Sequence, residues 1–131
     1  MKPARKRVLI ADCHEDVLIA LEKILEDEGF DVTTVWTAKD ALDVLDSEVL
    51  DLVLVNEYLP DAVCADILKA LRQRGARIPC IVMQPSAPEI SDLADLQSLG
   101  ATNIVCKYGY HHIVDVVNEC LAGSKEDTFV A

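Results

Sequence analysis

Asp12, Cys13, Asn56, Gln84 and Lys107 each end, or directly follow, a short apolar run. Asp12 offers a hard, negatively charged oxygen, and Lys107 a compact positive charge on a flexible stem. Cys13 adds a soft sulfur. Asn56 and Gln84 carry neutral amides, which donate and accept hydrogen bonds but are poor nucleophiles. Brought together, the five favour ion pairing between Asp12 and Lys107 and hydrogen bonding by the amides, with no attack from residue 56. Any one of them alone is ordinary strand-end polarity.

The stretches that carry these residues alternate between two periods. Val8–Ala11, Leu52–Val55, Pro79–Met83 and Thr102–Cys106 read as strands, and a further strand spans Phe30–Val35. The run Leu52 to Val55 is continuously apolar, as a strand covered on both faces should be. Between them lie helical spacings. Val17, Leu18, Leu21, Ile24 and Leu25 form one apolar face, closed by Gly29. Ala38, Ala41, Leu42 and Leu45 form another, opened by a capping sequence at Thr37 with Asp40 in the usual Glu place. The third helix is expected over 62–74, with Cys64, Ile67, Leu68 and Leu71 inward and Gly75 at its end. The fourth begins after Ser86-Ala-Pro88-Glu89, buries Ile90, Leu93 and Leu96, and stops at Gly100. The fifth is expected over 111–122, closed by Gly123.

Five strand–helix units without a break imply a parallel sheet with right-handed crossovers and helices on both faces. The fold class is therefore a doubly wound α/β sandwich, five strands and five helices in one domain over residues 7–122. Residues 1–6 form a basic arm (Lys2, Arg5 and Lys6), and 123–131 read as a frayed tail or linker stub. In such sheets the carboxyl ends of the strands share one edge, where ligands bind. Asp12, Asn56, Gln84 and Lys107 should meet there.

Bulk properties narrow the function. A formal net charge of −11 opposes nucleic-acid or anionic-membrane binding. No run approaches the roughly 20 apolar residues of a membrane span, and the apolar run after the basic arm breaks at Asp12, so no secretory signal is expected. The 5 cysteines make no CxxC pair and suit free thiols in a reducing cytoplasm. Cys80 and Cys106 read as core fillers, and Cys13 as an inert thiol beside the Asp12 charge. His111 and His112 are adjacent on different helical faces and make no paired ligand site.

Ala11-Asp12-Cys13-His14-Glu15, Asp51 to Asn56 followed by Leu59-Pro60-Asp61, and Gly100 to Lys107 resemble the receiver domain of bacterial two-component response regulators. The resemblance runs from about Arg7 to Ala122 and implies a flavodoxin-like fold with strand order 2-1-3-4-5. It also implies roles. The position of Asn56 is an aspartate in that family and accepts a phosphoryl group from a histidine kinase. An acidic pair after the first strand holds Mg²⁺, a Ser or Thr ends the fourth strand, and a Lys ends the fifth. An aromatic residue three positions before that Lys changes rotamer on activation.

Here Asp12 and Lys107 match the family. Cys13 replaces the second acid, Asn56 the acceptor, Gln84 the hydroxyl, Ile104 the switch aromatic, and Tyr108 the usual proline. One carboxylate remains where Mg²⁺ would want three, so Mg²⁺ binding at Asp12 is expected to be weak or absent and no cofactor is expected. The leading expectation is a pseudo-receiver, a protein-interaction module that is not an enzyme and is not phosphorylated. Asn56 and Gln84 are expected to hydrogen-bond each other or nearby backbone.

Two alternatives remain open. One is an active receiver phosphorylated at Asp12 or Glu57, although alternation aims Glu57 away from the pocket. The other is a flavodoxin-like cofactor binder, which the acidic loop 12–16 disfavours for lack of a phosphate cradle. Protein partners, including a second copy, are expected on the face of helix four, strand five and helix five. There Asp92, Asp95, Tyr108, Tyr110 and His111 are the candidates, the tyrosines because Tyr is enriched at interfaces.

Overall fold

A computed structural model describes residues 5–74, 77–86 and 90–130, and side chains within these except at 90–92 and 123–130. The elements alternate as β1 (Arg7–Ala11), α1 (Glu15–Asp27), β2 (Asp31–Val35), α2 (Ala38–Ser47), β3 (Leu52–Asn56), α3 (Cys64–Gln73), β4 (Cys80–Gln84), α4 (Ile90–Ser98), β5 (Asn103–Cys106) and α5 (Tyr110–Val130). The strands form one sheet in the order β2-β1-β3-β4-β5, each neighbouring pair parallel. This is the doubly wound architecture that the alternation of periods predicts.

Strand alternation divides the core in two. Leu9, Ala11, Val53, Val55, Cys80, Val82 and Ile104 face a cluster with α2 and α3, where Leu93 and Leu96 of α4 also pack. Val8, Ile10, Leu52, Leu54, Ile81, Met83 and Val105 face the other way, against α1 and α5. β3 and β4 are buried at every position, which explains why their sequences show no polar alternation.

Local signals hold where they are described. Gly29 (φ 96°) and Gly100 (φ 111°) end α1 and α4 in the left-handed region, where a side chain would be strained. The Thr37 hydroxyl accepts the Asp40 backbone N–H at 3.1 Å, capping α2. The Gly75 stop lies outside the described residues, as does most of the Ser86–Glu89 start of α4. α5 departs from expectation: it runs through Gly123 to Val130 instead of stopping at Gly123. An interior glycine costs a helix only about 1 kcal/mol, and the Lys, Glu and Asp residues that follow are ordinary helix residues.

The loop after β3 is fastened to the rest of the fold by Asp61. Its carboxylate accepts the backbone N–H groups of Ala38 (2.8 Å) and Lys39 (3.0 Å) at the start of α2. A carboxylate at a helix N-terminus meets unpaired N–H groups and the positive end of the dipole. The Ala38 bond first, then the Lys39 bond, hold the Asp61 carboxyl below its ordinary value of 3.8. A carboxyl depressed on folding stabilises the fold above its unfolded value, and the contribution disappears as pH falls through the folded one. Asp61→Asn is therefore expected to be less stable than the parent at neutral pH. In urea titrations at a series of pH values, the gap should narrow as pH drops below the ordinary aspartate range.

Candidate functional site

Strand ends place the site. The buried polar side chains among the described residues are Asp12, Asn56, Gln84 and Lys107, at 0%, 5%, 5% and 1% exposure. All lie at the carboxyl edge of the sheet, as the sequence predicts, and none is a surface charge. Asp12 follows β1 and donates its backbone N–H to the Val35 carbonyl of β2. Lys107 follows β5 and donates its own backbone N–H to the Gln84 carbonyl.

The Lys107 ammonium and the Asp12 carboxylate meet at the middle of this edge. Nζ lies 3.2 Å from Oδ1 and 3.1 Å from Oδ2. Oδ1 also accepts the backbone N–H of His14 at 2.9 Å. Oδ2 is enclosed and feels the ammonium's charge, but no donor is aligned on it. A third acceptor completes the basket: His14 Nδ1 lies 2.8 Å from Lys107 Nζ. An ammonium has only donors. Nδ1 must therefore present its lone pair, which leaves the ring proton on Nε2. The 3.0 Å approach of Nδ1 to Asp12 Oδ1 is then two acceptors drawn together by one cation.

The two amides do not join this pair, nor each other. Asn56 Nδ2 donates to the Tyr58 carbonyl at 2.8 Å, within its own loop. Gln84 Nε2 donates instead to the Glu57 carboxylate. The expected amide–amide bond is thus corrected in favour of a backbone partner and an anionic one, which gives a stronger, charge-assisted bond. Asn56, Lys107, Cys13 and His14 line one pocket of about 400 Å³, walled by Tyr58, Pro85 and Tyr108. Glu57 and Gln84 line a separate groove with Cys64 and Asp95. Alternation past β3 does send Glu57 away from Lys107.

The remaining sequence candidates divide. Tyr108 is half exposed, with Lys107 Nζ 5.8 Å from its ring centre. Tyr110 packs against the cluster of α1 and α5, and burial followed by the charge of Asp16 pushes its hydroxyl above the ordinary value. Its role in packing makes it a poor anchor for a partner. His111 and Asp95 are exposed, and the Asp92 side chain is outside the described set. Ile104 is buried in the cluster of α2 and α3. Burial pushes the thiols of Cys64 and Cys80 up to about 11 and about 12, whereas Cys13 is partly exposed at the pocket. Sequence reasoning left His14 and Asp61 without roles. The Asp-Cys-His succession at 12–14 is the signal that could have singled out His14.

A parallel five-stranded sheet with an Asp and a Lys paired at its carboxyl edge defines a receiver-type α/β domain. The family model described as the response regulator receiver domain matches residues 8–118, and the chain belongs to that family. Over 101 residues it is 33% identical to the transcriptional regulatory protein CpxR of Escherichia coli K12, covering 77% of this chain and 42% of CpxR. It is 28% identical over 102 residues to the alkaline phosphatase synthesis transcriptional regulatory protein PhoP of Bacillus subtilis, covering 78% and 42%. The chain thus spans less than half the length of these curated relatives. Among solved structures it resembles a CheY-like response regulator receiver domain protein from Methanospirillum hungatei, with a TM-score of 0.84 and 25% identity, covering 95% of this chain and 99% of that one.

The buried pair has a direct energetic consequence. Removing one partner strands a charge without water, which costs about 3–5 kcal/mol, whereas replacing both leaves no stranded charge. Lys107→Met is expected to lose stability on that scale by urea unfolding. Asp12→Asn combined with Lys107→Met should lose clearly less than the two single changes summed.

Proposed function

We propose that this domain is a pseudo-receiver: a signalling module of the two-component type that works by protein contact and is not phosphorylated. The observation that carries the reading is the amide at position 56, held by the Tyr58 carbonyl in the pocket of Lys107. An amide lacks the nucleophilic oxygen that would form an acyl phosphate. Glu57 is a weak substitute, because it lines the other groove and is engaged by Gln84. Asp12 is equally unsuited, since both of its oxygens face the Lys107 ammonium.

The donors present do not fit a magnesium ion. Mg²⁺ requires near-octahedral hard oxygen at about 2.0–2.1 Å. Here Asp12 is the one carboxylate among a sulfur, an imidazole and a neutral amide, a set too soft and too weakly charged for that ion. Ile104 is a packed aliphatic residue and supplies no aromatic rotamer switch.

On this reading the output is a surface in one state. The exposed residues of the face of α4, β5 and α5, among them half-exposed Tyr108 and exposed Asp95 and His111, are the proposed contact for a protein partner or second copy. Tyr108→Ala is expected to weaken that association while leaving thermal stability nearly unchanged. Lys39→Ala with Asp43→Ala, on the far side of the domain, should leave association unchanged. Sedimentation or pull-down with unaltered affinity for Tyr108→Ala would remove the tyrosine from the interface.

Intact-mass measurement after incubation with acetyl phosphate and Mg²⁺, or with a histidine kinase, should find no phosphoryl adduct on the wild-type chain. An adduct would sink the pseudo-receiver reading. Asn56→Asp alone should restore little labelling, because Cys13 still impoverishes the metal site. Asn56→Asp with Cys13→Asp should label far more, and equal labelling of the two variants would refute the metal argument.

A further inference from the structure

We propose that Asp12, Cys13 and His14 form a binding site for a thiophilic divalent ion of the Zn²⁺ class. The inference holds whether or not Asn56 is inert, since it uses different atoms and a different ion. Three successive residues at the end of β1 present one ligand atom each, all within 4.8 Å of one another. A carboxylate, a thiolate and a neutral imidazole are a common donor set for zinc and a poor one for magnesium.

The spacing fits tetrahedral geometry. Zinc bonds of about 2.3 Å to sulfur and about 2.0–2.1 Å to nitrogen or oxygen place S and N about 3.5 Å apart, and N and O about 3.3 Å apart. Cys13 Sγ and His14 Nδ1 are 3.8 Å apart, and His14 Nδ1 and Asp12 Oδ1 are 3.0 Å apart. All three ligand atoms lie within 4.8 Å of one another, and rotation of the Cys13 and His14 side chains, which are not buried, closes the set on the buried Asp12 carboxylate.

Two further features point to a cation. The His14 lone pair on Nδ1 faces inward, because it already accepts from the Lys107 ammonium. Asp12 keeps a fully buried oxygen, Oδ2, with no aligned hydrogen-bond donor. The basket is therefore already built around positive charge, which Lys107 supplies from the side. A metal at Cys13, His14 and Asp12 Oδ1 would take the His14 lone pair from the ammonium. Lys107 would then lean on Oδ2, 3.1 Å away. Three protein ligands leave a fourth position, on the side of the pocket bounded by Asn56, Tyr58 and Tyr108.

The test is a titration of the full chain with Co²⁺ followed by Zn²⁺. One equivalent of Co²⁺ should produce a sulfur-to-cobalt charge-transfer band, which Zn²⁺ then removes. Cys13→Ser should abolish the band, and Cys13→Ser and His14→Gln should each weaken Zn²⁺ binding at least about tenfold by calorimetry, the scale set by losing even a supporting group at a metal site. Cys120→Ser should keep both signals. Cys13 and His14 are partly or fully exposed, so circular dichroism should show these variants folded. No charge-transfer band in the wild-type chain, or a band and a Zn²⁺ affinity that survive in Cys13→Ser, would overturn the proposal.

Discussion

The structure turns on one buried ion pair. Asp12 and Lys107 are separated by 95 positions in sequence, yet their charged atoms lie about 3 Å apart and out of solvent. Neither tolerates burial alone, because a lone charge in a protein interior costs several kcal/mol. Their meeting depends on the sheet order. β1 and β5 are not neighbours; β3 and β4 lie between them, and their parallel register sets all the carboxyl ends at one level. The long lysine side chain then crosses the gap beneath the loops. A slip of one residue in β5 would send Lys107 to the opposite face. The pair therefore reports on the register of the whole sheet, whatever its net contribution to stability.

Around that pair, each remaining polar group is taken up locally. Asn56 closes its own loop, Gln84 ties itself to Glu57, and His14 shares the ammonium with Asp12. Asp61 fastens the loop that carries Asn56 to the start of α2. Lys107 faces Asp12, so the two charges offset one another within the fold. This self-sufficiency underlies the pseudo-receiver reading. The partly exposed thiol at its rim, with an imidazole whose Nδ1 already meets a cation, is the part of the edge suited to a softer ion than magnesium.

Much of this was legible from the residues. Apolar runs that stop at Asp12, Asn56, Gln84 and Lys107 mark strand ends, and the fold rule gathers those ends at one edge, although Gln84 turns into a separate groove with Glu57. The substitution of Asn56 for an acidic residue is a chemical fact before any coordinates. What could not be read was partner choice. The two amides had several acceptors within plausible reach, and only loop geometry decided between them. His14 read only as part of the polar loop after the first strand, because its role depends on where Lys107 ends. Tyr108 and Tyr110 were alike in sequence, but the backbone leaves the first half exposed and lays the second, partly buried, against the core. Glycine punctuation read well at Gly29 and Gly100, where φ is positive. It misled at Gly123, because glycine permits a helix stop without compelling one.

The central claim is that this sheet edge is already satisfied and does not respond to a phosphoryl group. Backbone amide spectra of the ¹⁵N-labelled domain, recorded before and after Mg²⁺ with beryllofluoride, test it most directly. The account predicts that the resonances of Asp12, Asn56, Gln84 and Lys107 stay in place. Saturable shifts at those residues, spreading to β5 and α5, would contradict it.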